Sequence, residues 1–343
     1  RVADPYSELT LHPDDDPYIP SNVYPDIPAY PYGKTSFSVG VLQPGAEQYK
    51  WNSTNYERPE TKDLVIYELL LRDFLKESSY QTLIDTLDYL DRLGVTAIEL
   101  MPVNEFEGNL SWGYNPAFHL ALDKYYGTKN AFKAIVDAAH ARGIAVILDV
   151  VLNHAYGRSP IIRLWNEGDY GAPTSENPYA NSIAKHPYNV GYDLNHESAA
   201  TRYFSKRVMQ YWLEEYNIDG FRFDLSKGFT QVDNVNDVGA WGSYDASRIA
   251  IWKDYNNFIR SIDSTAYVIL EHFADNSEEK ALVNEGMLVW GNMNHEYNEA
   301  TMGYNSDLRG VLASHRGFSK RNLIGYMESH DEQWLMFKNI AFG

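Results

Sequence analysis

At 343 residues the chain has room for one large α/β domain, or one such domain with a smaller appendage. Its 29 basic and 47 acidic residues give a formal charge of -18, which argues against nucleic acid or an anionic membrane as partner and suits a neutral substrate. With no cysteine there is no disulfide framework and no thiolate chemistry, and no apolar run is long enough to insert into a membrane.

Residues 1–60 are rich in Pro, Tyr and Asp, with Asp14, Asp15 and Asp16 followed by Pro17 and further prolines up to Pro31. Such text predicts an extended connector lying against a main domain, with at most a short β segment near Ser36 to Leu42. From about residue 61 the pattern changes to alternating apolar strands and amphipathic helices, as expected of a parallel sheet with helices outside it. Strands are predicted at Leu64–Leu71, Val95–Met101, Ile144–Leu152, Ile218–Asp224, Tyr267–Glu271, Met287–Trp290 and Asn322–Met327. Helices are predicted at Tyr80–Leu93, Asn130–Ala141, Ser198–Tyr216, Ser247–Ile262, Ser277–Glu285, within Glu299–Leu312, and from Glu332 onward. A long excursion, residues 155–195, interrupts the third unit and exceeds the usual connection length, which marks it as functional. Seven alternations imply a (β/α)8 TIM barrel over 61–343 whose eighth βα unit is missing from these residues.

In such a barrel the C-terminal ends of different strands converge, so polar residues there meet although they are distant in sequence. The stretch Gly220-Phe-Arg-Phe-Asp-Leu-Ser-Lys-Gly228 is the most telling. Alternation puts Arg222 and Asp224 on one side and Phe221 and Phe223 on the other. An Arg beside an Asp keeps the carboxylate ionised, as a nucleophile requires, although a structural ion pair at a strand end reads the same way. Other candidates at strand ends are Tyr114, Asp149, Asn153, His154, Glu271, His272, His330 and Asp331. Glu271 follows an apolar run and has no Arg beside it, so desolvation and nearby negative charge are expected to raise its pKa while Arg222 holds down that of Asp224.

These segments resemble the α-amylase family of glycoside hydrolases. Asp149-Val-Val-Leu-Asn-His154 matches the family's third-strand motif, Gly220-Phe-Arg-Phe-Asp224 the fourth, Glu271 the fifth-strand acid and His330-Asp331 the seventh-strand motif. The opening Tyr67-Glu-Leu-Leu-Leu-Arg-Asp-Phe74 and Trp112-Gly-Tyr-Asn-Pro116 resemble pullulanase- and neopullulanase-like members acting on branched glucans. The resemblance implies a retaining hydrolase of starch-like α-glucans with Asp224 as nucleophile, Glu271 as acid and base, and Asp331 holding sugar hydroxyls. It further implies substrate contacts from Tyr114, His154, Arg222, Lys227 and His330. Taken singly, His154 also reads as a strand cap, His330 as a core histidine, Tyr114 as packing and Asp149 as a carboxylate that orients Arg222. His272 reads as a hydrogen-bonding neighbour.

Where many family members carry a His after the strand-four Lys, this chain has Gly228, so one expected contact is lost. No cofactor is required for the chemistry. A structural calcium ion is compatible with the resemblance, with Asn153 and Asp193 as candidate oxygen ligands, although no dense carboxylate loop supports a cage. The alternatives are a debranching or glycosyl-transferring enzyme of the same family, a non-catalytic glucan-binding barrel, and a metal-dependent barrel enzyme. An extracellular or periplasmic location is favoured for a polysaccharide-degrading enzyme, and oligomeric state is left open.

Overall fold

The computed structural model describes residues 1–343. In the N-terminal stretch, β1 (Thr10–Leu11) pairs antiparallel with β2 (Val39–Gly40), so the short β segment expected there finds its partner 30 residues upstream. The rest of the stretch is fastened by polar contacts. Asp137 accepts hydrogen bonds from Tyr49, Asn52 and Ser53, and Arg58 pairs with Asp219 at 2.8 Å and Asp263 at 2.7 Å. Lys124, 2% exposed, lies between Asp16 and Glu105.

Next come β3 (Ile66–Leu69), β4 (Ala97–Leu100), β5 (Asn104–Phe106), β6 (Pro116–Leu122) and β7 (Ala145–Val150). They are followed by β8 (His154–Ala155), β9 (Tyr192–Asp193), β10 (Gly220–Phe223), β11 (Tyr267–Leu270), β12 (Leu288–Asn292) and β13 (Leu323–Tyr326). Seven of these make one parallel sheet in the order β13-β12-β11-β10-β7-β4-β3, curled with helices outside. This is the (β/α) barrel expected. β3 and β13 are its two edges, and the eighth unit of a full barrel is not among residues 1–343.

The strands read as nearly continuous apolar runs because both faces are covered, but the two faces carry different work. Val146, Leu148 and Val150 on β7, Phe221 and Phe223 on β10, and Val268 and Leu270 on β11 join the 52-residue core cluster with the helices. Full burial of each such side chain contributes about 1.5–3 kcal/mol. The alternate residues point inward. A small cluster of Ala97, Ala145, Ile147, Tyr267, Ile269, Leu288 and Trp290 fills the interior. One or two residues further along each strand the inward positions turn polar: Glu68, Glu99, Asp149, Arg222 and then Asp224 and Glu271. Period-two alternation carried past the apolar plug is what delivers charged groups to the open mouth.

Three expectations need correction. The helix expected over Tyr80–Leu93 is two, Tyr80–Ile84 and Leu87–Arg92, because Asp85 and Thr86 break the run. The helix expected within Glu299–Leu312 lies earlier, at Asn294–Thr301, with only a 3-10 turn at Leu308–Val311. The text between strand two and its helix contains an antiparallel hairpin, β5 and β6, that the sequence reading passed over. All seven residues of β6 are buried, so it lacks the in–out alternation that signals a strand. The 155–195 excursion is closed at its ends by the β8–β9 pair, His154 opposite Asp193.

Candidate active site

A cleft of about 610 Å³ opens at the C-terminal ends of the strands, with Asp224, Leu225, Glu271, His154, His330 and Asp331 in its walls. Trp112 and Tyr114 enter from the β5–β6 hairpin, and Tyr156, Tyr188 and Val190 from the excursion. A second cleft of about 670 Å³, lined by Arg58, Lys62, Arg260 and Arg321 among others, lies where strands begin, at Tyr267, Leu288 and Asn322. Barrel chemistry is found at the opposite end.

Arg222 organises the first cleft from beneath. It is fully buried, its guanidinium lies 4.2 Å from the Trp290 ring centroid, and Nη1 donates to both oxygens of Asp149, at 2.9 and 2.8 Å, and to Asp224 Oδ1 at 3.3 Å. Its other arm, Nη2, lies 3.0 Å from Glu271 Oε2. Two expectations change. Arg222 cannot touch a substrate directly, and Glu271 does have an Arg beside it, because the β10–β11 register aligns the strand ends across the sheet. Asp149 takes the orienting position that was one of its two readings.

Glu271 Oε2 also accepts the Leu225 backbone N–H at 2.8 Å. That donor is aimed by a left-handed backbone at Leu225, φ 43 and ψ 45, a conformation that costs a non-glycine residue about 1–2 kcal/mol. Burial raises the carboxyl pKa of both Asp224 and Glu271; for Asp224 the neighbouring Glu271 adds to the rise and Arg222 does not overcome them, which corrects the expectation that Arg222 holds the Asp224 pKa down, and for Glu271 too Arg222 only pulls the rise back. The two acids therefore titrate as a pair that retains a proton above the ordinary carboxylate range.

Behind Glu271, His272 is held between Ser226 Oγ at 2.9 Å and Glu278 at 2.7 Å, as a hydrogen-bonding neighbour should be. Asp331 is 55% exposed at the cleft rim, 3.4 Å from His330 Nε2. Tyr114 donates to Asp149 at 2.5 Å and stacks on His330, ring centroids 5.0 Å apart at 20°. His154 Nε2 meets the Tyr114 carbonyl at 2.8 Å, and burial lowers its pKa to about 4, so it is neutral at working pH. Lys227 is not in the cleft wall: its Nζ donates to the Phe273 carbonyl at 3.0 Å and sits 4.1 Å from the Trp241 centroid.

Glu68, Glu99 and Trp290 were missed in the sequence, although the inward alternation that found Asp149 and Arg222 passes through all three. Burial pushes the Glu99 carboxyl well above its ordinary range. Glu68 accepts both the backbone N–H of His330, at 2.9 Å, and Nδ1, at 2.7 Å. Burial opposes charge on His330, but the Glu68 carboxylate outweighs it and holds the pKa up at about 9. A histidine whose folded pKa exceeds its unfolded value stabilises the fold below about pH 6.5 and loses that contribution as pH rises through about 9. Urea unfolding at pH 6 and pH 9 is expected to show a loss of at most about 3 kcal/mol from this pair, absent in His330→Gln.

Asn153 and Asp193, the candidate calcium ligands, are both buried, with one side-chain oxygen of each left without a hydrogen-bond partner. The third group beside them is an imidazole, with His186 Nε2 3.4 Å from Asp193 Oδ1. Calcium takes six to eight oxygens, and two side-chain oxygens facing a ring nitrogen do not fit it. No group of three or more His, Cys, Asp or Glu side chains is placed to share a metal ion.

A family model described as "Alpha amylase, catalytic domain" matches residues 75–162 and 185–335. The chain is 34% identical over 225 residues to malto-oligosyltrehalose trehalohydrolase of Saccharolobus solfataricus, covering 65% of this chain and 36% of that protein. It is 33% identical over 237 residues to pullulanase of Bacillus subtilis, covering 57% of this chain and 31% of that one. The chain thus spans about a third of the length of these curated relatives. The crystal structure of pullulanase type I from Bacillus subtilis complexed with maltose superposes with a TM-score of 0.69 at 22% identity, covering 98% of this chain and 50% of that one. This last likeness bears on the fold.

Proposed function

The chain belongs to the α-amylase family of glycoside hydrolases, and from that premise we propose that it cleaves α-glucosidic bonds of starch-like glucans by double displacement, with retention at the anomeric carbon. The observation that supports this most directly is the placing of Asp224 and Glu271 on adjacent strand ends, each tied to a different arm of one guanidinium. Retaining glycosidases need their two carboxyls only about 5–5.5 Å apart, on either side of the bond to be cut.

In the first step Asp224 attacks the anomeric carbon as the bond to the leaving oxygen breaks, and Glu271 gives that oxygen its proton. Glu271 Oε2 is already engaged by the Leu225 N–H and Arg222, so the proton sits on Oε1. In the second step Glu271 takes a proton from water as the water oxygen bonds to the same carbon and Asp224 departs. Asp331 at the rim is suited to sugar hydroxyls and the His330 imidazolium to donating a hydrogen bond beside it, while His154 gives its N–H to the Tyr114 carbonyl and so positions the hairpin that carries Tyr114. Arg222 and Asp149 act through the acids they position.

Debranching at α-1,6 bonds is the second reading, favoured by the likeness to a pullulanase. Digestion of pullulan and of linear maltodextrin by the full-length protein separates the two. Debranching releases maltotriose from pullulan, whereas α-1,4 cleavage leaves products that retain an α-1,6 linkage. Inertness toward both glucans would reject the proposed function.

A further inference from the structure

Four polar side chains that the proposed mechanism does not use lie fully buried behind Glu271: Ser226, Arg248, His272 and Glu278. Arg248, on the helix Ala246–Ile262, engages all five of its N–H donors. Nε and Nη2 reach the two oxygens of Glu278 at 2.6 and 2.8 Å, Nη1 the carbonyls of Lys227 and Trp241 at 3.0 and 3.2 Å, and Nη2 also that of Ser243 at 3.1 Å. Glu278, on the helix Asn276–Asn284, accepts from the Asp245 N–H at 2.8 Å and faces His272 Nε2 at 2.7 Å. Burial works against charge on Glu278, but the bonds from His272 and Arg248 outweigh it and hold the pKa below the ordinary range.

The other ring nitrogen of His272, Nδ1, lies 2.9 Å from Ser226 Oγ, and that oxygen is also 2.8 Å from the Glu271 carbonyl. The hydroxyl has a single proton to give. Given to the carbonyl, it would leave Nδ1 to donate and the ring to carry a charge, and burial, which lowers the His272 pKa, opposes that. The ring is therefore neutral, with its proton on Nε2 toward Glu278 and with Nδ1 accepting from Ser226. The Glu271 carbonyl keeps the Ser226 N–H at 3.0 Å. Glu278 thus fixes the tautomer, and the tautomer fixes the hydroxyl.

Ser226 follows Leu225, whose left-handed backbone aims an N–H at Glu271 Oε2. Phe273, next to His272, is left-handed too, at φ 48, so two of the four non-glycine residues with positive φ flank this network. Strain of that kind persists only where the surroundings over-determine it. Here they do. Ser226 is held at its N–H by the Glu271 carbonyl, at its own carbonyl by Trp252 Nε1 at 3.0 Å and at Oγ by His272, while Lys227 Nζ holds the Phe273 carbonyl. We propose that His272, kept in one tautomer by Glu278 and Arg248, is a positioning residue for Glu271: through Ser226 Oγ it holds the left-handed turn whose Leu225 N–H pins Oε2 and leaves the proton on Oε1. The inference rests on the reading of Glu271 as acid and base. Without the His272 contact Leu225 relaxes, Oε2 loses a donor that holds the Glu271 pKa down, and the proton is free to occupy either oxygen.

The test compares full-length parent, Ser226→Ala, His272→Gln and His272→Asn on maltodextrin and on an aryl maltoside whose phenolate leaves without a proton. Gln carries its amide where Nε2 was and meets Glu278 only; Asn places an oxygen where Nδ1 was and accepts from Ser226. The charges around Glu271, from Arg222, Asp149, Asp224 and Asp331, and those of Glu278, Arg248 and Lys227 around His272 are left in place. Ser226→Ala and His272→Gln are expected to lower kcat/KM on maltodextrin about 10²-fold, the cost of a misplaced catalytic group, and to spare kcat/KM on the aryl maltoside. Their alkaline limb on maltodextrin moves to higher pH, because a lost donor raises the pKa of the acid. His272→Asn is expected to recover most of the maltodextrin rate. Rates on the two substrates that fall together in step with the Tm, an unmoved alkaline limb, or an Asn variant no better than Gln would each overturn the proposal. Should the His272 variants fail to fold, Ser226→Ala, which removes one oxygen, decides on its own. A parent inert toward both substrates would instead overturn the reading of Glu271 itself, and the positioning role with it.

Discussion

Asp224→Asn is expected to lower kcat on α-glucans by about 10⁴-fold or more, the scale seen when a covalent nucleophile is removed, with the Tm unchanged or slightly raised. The amide has the shape of the carboxylate but neither attacks carbon nor carries the charge that stabilises an oxocarbenium-like transition state. The fold does not suffer, because the replaced group is a carboxyl that burial and Glu271 already disfavour in its charged form. Glu271→Gln separates the two roles. Without its acid the enzyme should fail on natural glucans, yet retain far more activity on aryl maltosides whose phenolate leaves without a proton. In the parent the acid limb of the kcat/KM profile reports ionisation of the pair to its reactive form, and the alkaline limb reports loss of its last proton. Asp224→Asn activity within about tenfold of the parent would remove Asp224 from the mechanism.

Arg222→Met should be the most destabilising single substitution in the barrel. The guanidinium is the cation shared by Asp149, Asp224 and Glu271, and removing one partner of a buried ionic cluster costs about 3–5 kcal/mol, since the remaining charges stay buried. At about 2–4 °C per kcal/mol for large domains, the Tm falls by roughly 10 °C. The deficit depends on pH with a definite sign. Losing Arg222 raises the folded-state pKa of the three acids further above their unfolded values, so the variant is least impaired at low pH and loses ground as pH rises through the raised pKa values. Arg222→Lys keeps a charge but not the fork that reaches Asp224 with one arm and Glu271 with the other. It is expected to recover part of the stability and little of the activity. Equal stability of Arg222→Met and the parent across pH 5 to 8 in urea unfolding would show that the cluster does not depend on its cation.

Much of this arrangement is legible in the residues. Asp149, Arg222, Asp224 and Glu271 can be found because each ends an apolar strand on the inward side, and alternation depends only on neighbours two apart. The same rule, followed back along the two preceding strands of the sheet, would have found Glu99 and Glu68. The hairpin β5–β6 escaped because its second strand is buried on both faces, which removes the periodic signal.

The sequence by itself determined the alternation of strands and helices, the inward or outward sense of each strand residue, and the set of acids that could meet at one mouth; all of these follow from local periodicity and side-chain direction. Tertiary structure alone decided which groups share a partner. His330 is paired with Glu68 across 262 residues, Tyr114 leans on His330 and bonds Asp149, one Arg222 serves three carboxyls, and His186 fills the space beside Gly228. The register and curl of a parallel sheet set those distances, and they are fixed by packing among residues too far apart in the chain for any local pattern to encode.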